Sequence, residues 1–156
     1  MNNKEAYIKE TIAILKERYN TTLPELLDAY HEETTIPASI YATNLTALEA
    51  TTTYLQQEKQ LTTKEIAQAL NRPKSTITNA LTNAQKKQTT IKEDNNPTRI
   101  PLSAFNKPLS PTETIIYELH TQGLQNNEIA NTINKDQRNI WQQLNKAKNK
   151  LAGDTQ

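Results

Sequence analysis

The 156-residue chain holds 18 Lys and Arg, 17 Asp and Glu, two His and no Cys, which excludes disulfides, thiolate-bound metals and a histidine-based metal site. Its two glycines, Gly123 and Gly153, are too few for a phosphate-cradling loop, and neither a nucleophile elbow nor a metal-spaced His/Asp cluster is present; the expectation is a protein that is not an enzyme and needs no cofactor. No apolar run reaches the ~20 residues of a membrane span and no secretory leader is visible, so the chain reads as soluble and cytoplasmic.

Formal net charge is +1, yet residues 1–60 carry 5 basic against 9 acidic side chains (−4) and residues 61–156 carry 13 against 8 (+5). The acidic part begins with a leader, residues 1–35. Ile8, Ile12, Leu15 and Tyr19 recur at helical spacing and predict one amphipathic helix. Thr22 with Glu25 makes a capping box ahead of Leu26, Leu27 and Tyr30, predicting a second, shorter helix and hence a helical hairpin. His31, beside Glu32 and Glu33, has no evident role.

From residue 36 the chain repeats itself. Ile36-Pro-Ala-Ser-Ile-Tyr41 returns 64 residues later as Ile100-Pro-Leu-Ser-Ala-Phe105. A residue before Pro is driven toward extended geometry, so each copy is expected to enter as an arm whose apolar side chains clamp the helices that follow it. Thr46 with Glu49 and Ser110 with Glu113 are capping boxes that start a first helix in each copy, with Leu48, Tyr54 and Leu55, or Ile115, Ile116 and Leu119, toward the core. The run Thr51-Thr52-Thr53 has poor helix propensity, so its helix must lean on tertiary packing.

A second helix starts at Thr62 with Glu65 and near Gln125 with Glu128; Ile66, Ala67 and Leu70, matched by Ile129, Ala130 and Ile133, form its buried face. Asn71 and Asn134 then occupy a tight turn, where positive φ is needed and Asn tolerates it best after Gly. Pro73 or Asp136 opens a third helix. Its core side is Ile77, Leu81 and Ala84 in one copy and Ile140, Leu144, Ala147 and Leu151 in the other. The opposite side holds Ser75, Asn79, Thr82, Asn83 and Lys86, or Arg138, Gln142, Asn145, Lys146 and Asn149, residue types that suit base edges in a major groove. Trp141 flanks that side, and packing against a neighbouring element is the favoured reading for it over base contact. Residues 88–99 are polar and contain Pro97, so they read as a linker, either spanning toward a second groove or letting the two copies pack together.

Each third helix lies in a basic stretch: Arg72, Lys74, Lys86, Lys87 and Lys92 in one copy, and Lys135, Arg138, Lys146, Lys148 and Lys150 in the other. That is the footprint of a phosphate-contacting element. The run Leu109 to Leu124, followed by Glu128-Ile-Ala130 and the basic third helix, resembles the helix-turn-helix of the promoter-reading C-terminal domain of bacterial sigma factors and of LuxR-type regulators, and Leu45 to Lys87 looks like a second example. The resemblance implies a DNA-binding fold and points to Lys74, Ser75, Thr78 and Asn79, and to Gln137, Arg138, Trp141 and Gln142, as groove residues. Those families commonly have Gly where Asn71 and Asn134 stand and one such motif per chain.

The expectation is therefore an all-α chain: an acidic helical leader (1–35) for packing or dimerisation, a first tri-helical helix-turn-helix module (36–87), a linker (88–99) and a second module (100–153). The expected partner is double-stranded DNA, in a transcriptional regulator associated with the nucleoid, with Arg72, Lys74, Lys86, Lys87, Lys135, Lys146 and Lys148 on phosphates and the polar faces on bases. A homodimer through the leader helices is open to it. Two further readings stand beside this one: a sequence-tolerant architectural nucleoid protein, and a protein-interaction adaptor that reuses the same modules.

Overall fold

The structure, a computed structural model, describes residues 3–25 and 34–153. The chain divides into two compact units, Met1–Thr34 and Thr35–Gln156. The described residues are mostly helical, with one two-stranded sheet; none of their helices is long and apolar enough to cross a membrane.

In the first unit, α1 (Asn3–Tyr19) buries none of its residues. Of the expected stripe, Ile12 and Leu15 are half-buried while Ile8 and Tyr19 are exposed, as are Tyr7 and Ile14. Thr22 and Glu25 form the expected box, backbone N–H to carboxylate at 2.9 Å and Glu25 N–H to hydroxyl at 3.4 Å. The backbone N–H of Thr22 and the Thr21 hydroxyl hold the Glu25 carboxyl below its ordinary pKa. Leu26, Leu27, Tyr30 and His31 lie outside the described residues.

The second unit runs through the same elements twice. The first half has β1 (Thr35–Pro37), a 3-10 turn (Ala38–Ala42), α2 (Ala47–Gln57), α3 (Thr63–Leu70) and α4 (Lys74–Lys87). The second half has β2 (Arg99–Pro101), a 3-10 turn (Leu102–Asn106), α5 (Pro111–Thr121), α6 (Asn126–Ile133) and α7 (Gln137–Gly153). Capping sets the helix starts. Thr46 accepts from Glu49 N–H, Thr62 from Glu65 N–H and Ser110 from Glu113 N–H, each at 3.2 Å, and the Glu128 carboxylate takes Gln125 N–H at 2.7 Å.

The arms depart from the expectation. Each packs on the first helix of its own half, but β1 also pairs antiparallel with β2, and each 3-10 turn lies against the second helix of the opposite half: the first on α6, the second on α3. Ile36 and Ile100, fully buried, face each other across the strand pair. The sheet is short because each strand is bounded by the Pro that follows its Ile, and Pro donates nothing to a ladder. Both halves thus share one apolar core, which includes Tyr54, Leu55, Ile66 and Ile77 from the first and Ile116, Leu119, Ile129 and Ile140 from the second.

Residues 88–98 are tied down rather than free. Ile91 is buried, the Asp94 carboxylate accepts the Ser39 hydroxyl, and Thr89 donates to the Asn44 side chain. The Glu93 carboxylate accepts the Tyr54 hydroxyl and pairs with Arg99 at 2.8 Å, while Arg99 also donates to the Thr35 hydroxyl at 2.8 Å. One apolar side chain and two carboxylates suffice to turn a polar stretch into a strap, because each carboxylate finds its donors on the folded surface. The Thr51-Thr52-Thr53 run is buried within α2. Thr51 and Thr52 donate to the carbonyls of Ala47 (2.7 Å) and Leu48 (2.9 Å), and Tyr41 shares a 2.7 Å hydrogen bond with Thr51, so packing and back-bonding offset weak propensity.

Candidate nucleic-acid interface

The third helices are placed by the turns before them. Asn71 (φ 53°, ψ 51°) and Asn134 (φ 53°, ψ 54°) both take the left-handed conformation. The reversed chain lets Arg72 N–H reach Ala67 O at 3.0 Å and Lys135 N–H reach Ala130 O at 2.9 Å, satisfying carbonyls that a helix end leaves open. Ala67 and Ala130 are buried there. Pro73 starts α4 without a side-chain cap, whereas Asp136 caps α7 by accepting Arg138 N–H at 2.8 Å.

Each third helix then buries one face only. In α4 the buried residues are Ile77, Ala80 and Ala84, with Leu81 half-buried where full burial was expected; in α7 they are Ile140, Leu144 and Ala147, with Leu151 half-buried. Ala80 is buried as well, and Leu81 packs against the edge of the core. The exposed side of α4 carries Lys74, Ser75, Thr78, Asn79, Thr82, Asn83, Lys86 and Lys87. Thr78 and Thr82 donate to the carbonyls of Lys74 (3.1 Å) and Thr78 (2.9 Å), which uses their one hydroxyl proton and leaves their methyls and an accepting oxygen for a partner. The exposed side of α7 carries Gln137, Arg138, Gln142, Lys146 and Lys148, with Asn145 half-buried. Lys135, exposed, precedes it.

Trp141 is 58% exposed on this side, so it does not serve the chain as a packing anchor; its helix turns it away from the core. Neither α4 nor α7 contains an acidic residue, and among the described residues Lys74, Lys86, Lys135, Arg138, Lys146 and Lys148 are in no ion pair.

Two cations assigned to phosphate from the sequence have other work. Lys87 Nζ pairs with buried Glu49 at 2.7 Å. Burial opposes charge on Glu49, but hydrogen bonds from Lys87 and Thr46 prevail and hold its pKa below the ordinary value. The same pair recurs in the second half, where Lys150 meets both oxygens of buried Glu113 at 2.9 and 2.8 Å. Arg72 is half-buried and donates to Leu109 O at 3.3 Å, across to the other half. Conversely, Lys64, in the first turn of α3, lines a hollow of about 420 Å³ with Gln68, Asn71, Arg72 and Lys74. The sequence offered little signal for Lys64, because it lies on the second helix and not on the third.

Compared with protein-family models, with curated proteins and with solved structures, the chain matches none of the three.

Proposed function

We propose that this chain binds double-stranded DNA as a transcriptional regulator, through helix-turn-helix modules at residues 36–87 and 100–153 whose third helices, α4 and α7, enter the major groove. One observation carries the reading: both helices bury an apolar face and expose an acid-free face of amides and unpaired cations, to which α4 adds the hydroxyls of Ser75, Thr78 and Thr82. The resemblance of both segments to sigma-factor and LuxR-type modules points the same way. Lys74, Lys86, Lys135, Lys146 and Lys148 supply phosphate contacts, which set affinity, while Ser75, Asn79, Arg138 and Gln142 supply contacts to base edges, which set choice. Lys87 and Arg72 act mainly inside the fold. The leader associates with a second copy through α1, whose apolar side chains are exposed; removing residues 1–34 then leaves a smaller species in sedimentation.

Titration of labelled duplex by anisotropy at several salt concentrations is the test. Affinity falls steeply as salt rises, and Arg138→Ala or Gln142→Ala costs about 1–3 kcal/mol on a preferred site with relaxed sequence choice. A second reading, a protein-binding adaptor, is favoured by Trp141 alone, since Trp is among the side chains enriched in the hot spots of protein interfaces. Absence of duplex binding at low salt would transfer the role of α7 to that reading.

A further inference from the structure

We infer that the DNA this chain takes consists of two unlike half-sites, inverted relative to each other and held at one fixed spacing, so that the protein sits on its site in a single orientation. The inference rests on the proposed DNA-binding function and goes beyond it, because modules repeated in tandem along a chain would ordinarily suggest half-sites repeated in the same direction.

Orientation follows from the strand pair. Thr35 pairs with Pro101, Ile36 with Ile100 and Pro37 with Arg99. The repeat equivalents of Thr35, Ile36 and Pro37, 64 positions on, are Arg99, Ile100 and Pro101, so interchanging the halves returns the same pairing, with Ile36 and Ile100 exchanging places. Only a half-turn does that. The packing obeys the same operation: each 3-10 turn lies on the other half's second helix, and α2 lies against α5. Such reciprocal contacts define an isologous interface. Because α4 packs on α2 and α3 as α7 packs on α5 and α6, the half-turn carries one reading helix onto the other. Duplex DNA has twofold axes across its own helix, and a protein with a half-turn meets the two strands in equivalent ways, which inverts the half-sites.

Inequality follows from the exposed faces. At equivalent positions, 63 residues apart, stand Ser75 and Arg138, Thr78 and Trp141, Asn79 and Gln142. Arg138 suits guanine, whereas the uncharged stretch from Ser75 to Asn83 in α4 offers Asn79 for adenine and a Thr methyl for thymine. Fixed spacing follows from the shared core and from the strap pinned at Ile91, Glu93 and Asp94.

Site selection from a random duplex library with the full chain tests this, followed by titration of altered sites. The expected product is two different motifs on opposite strands at one separation. Reversing one motif, or inserting five base pairs between them to turn one half-site about half a helical turn away, lowers affinity roughly tenfold or more. Arg138→Ala erases preference in one motif and leaves the other intact. Direct repeats, a lone motif, variable spacing, no motif, or capture of two separate duplexes by one chain each overturn the inference while leaving DNA binding standing. Failure to bind any duplex removes both.

Discussion

The two halves of the second unit agree in what they bury and differ in what they expose. Ile66, Ala67 and Leu70 in α3 are matched by Ile129, Ala130 and Ile133 in α6, all buried, and both turns carry a left-handed Asn. Outside, an uncharged stretch of Ser, Thr and Asn in α4 stands where α7 has Arg138, Trp141 and Lys146. A shared interior holds both helices in place, and the surface residues are free to differ because no contact of the core depends on them.

The frames are also unequal in detail. Glu113 receives Lys150 on both oxygens, whereas Glu49 receives Lys87 on one and its Oε2 has no partner among the described residues. Thr51 and Thr52 stand where the second half has Ile115 and Ile116. Gln60 is forced to φ 57° in the loop where the second half, one residue shorter, uses Gly123 at φ 99°. Each difference disfavours the first half.

The most severe way to break the comparison is at the twofold contact. Ile36→Ala and Ile100→Ala should each cost about 2–5 kcal/mol in urea unfolding, with similar values and a non-additive double variant, since both side chains are fully buried and meet each other. Values far apart would show that the halves are not equivalent there. Next, Lys150→Met should cost about 1–2 kcal/mol and Lys87→Met less, the figures being held down by the partial exposure of both lysines.

Acid sharpens the same point. Glu49, Glu93 and Asp94 all have lowered pKa values: for Glu49 and Glu93 hydrogen bonds and cations outweigh burial, and for Asp94 the Ser39 hydroxyl leads. Their stabilisation is complete above the unfolded carboxylate values near pH 4 and is lost as pH falls through the lower folded ones. Lys87→Met brings the Glu49 value back up, so the variant should lose less stability than the parent on acidification, as read from urea midpoints between about pH 5 and 3. Smallest is the loop pair. Gly123→Ala should cost about 1–2 kcal/mol although a Cβ there meets nothing, because φ 99° is itself unfavourable for an L side chain, while Gln60→Gly should gain up to about 1 kcal/mol in thermal unfolding.

Much of this frame is readable from local rules. Capping boxes mark the helix starts, Asn71 and Asn134 mark the turns, and helical phase separates Ile140 and Leu144 from Arg138 and Gln142. The crossing of the arms is not readable, because Ile36 and Ile100 occupy equivalent positions and the same apolar contacts arise whether each arm folds onto its own half or the other. The Lys87–Glu49 pair is hidden for another reason: Glu49 already has a complete local role as a cap, and its second role needs a partner 38 residues away. Ile91 is a lone apolar residue in a polar run, with no periodicity to announce that it is buried. Trp141 misleads because aromatic residues usually pack, and only the rotation of α7 turns this one outward.

The crossed arms also bear on how the chain acquires its shape. The face of α3 is completed by residues 102–106 and the first 3-10 turn by α6, so a nascent chain that has emerged only as far as α4 lacks a partner for both surfaces. Closure therefore waits for residues near 133, and pairing strands 64 positions apart makes that step slow relative to forming any single helix. Because the two halves are joined covalently, it proceeds at the same rate however dilute the protein is.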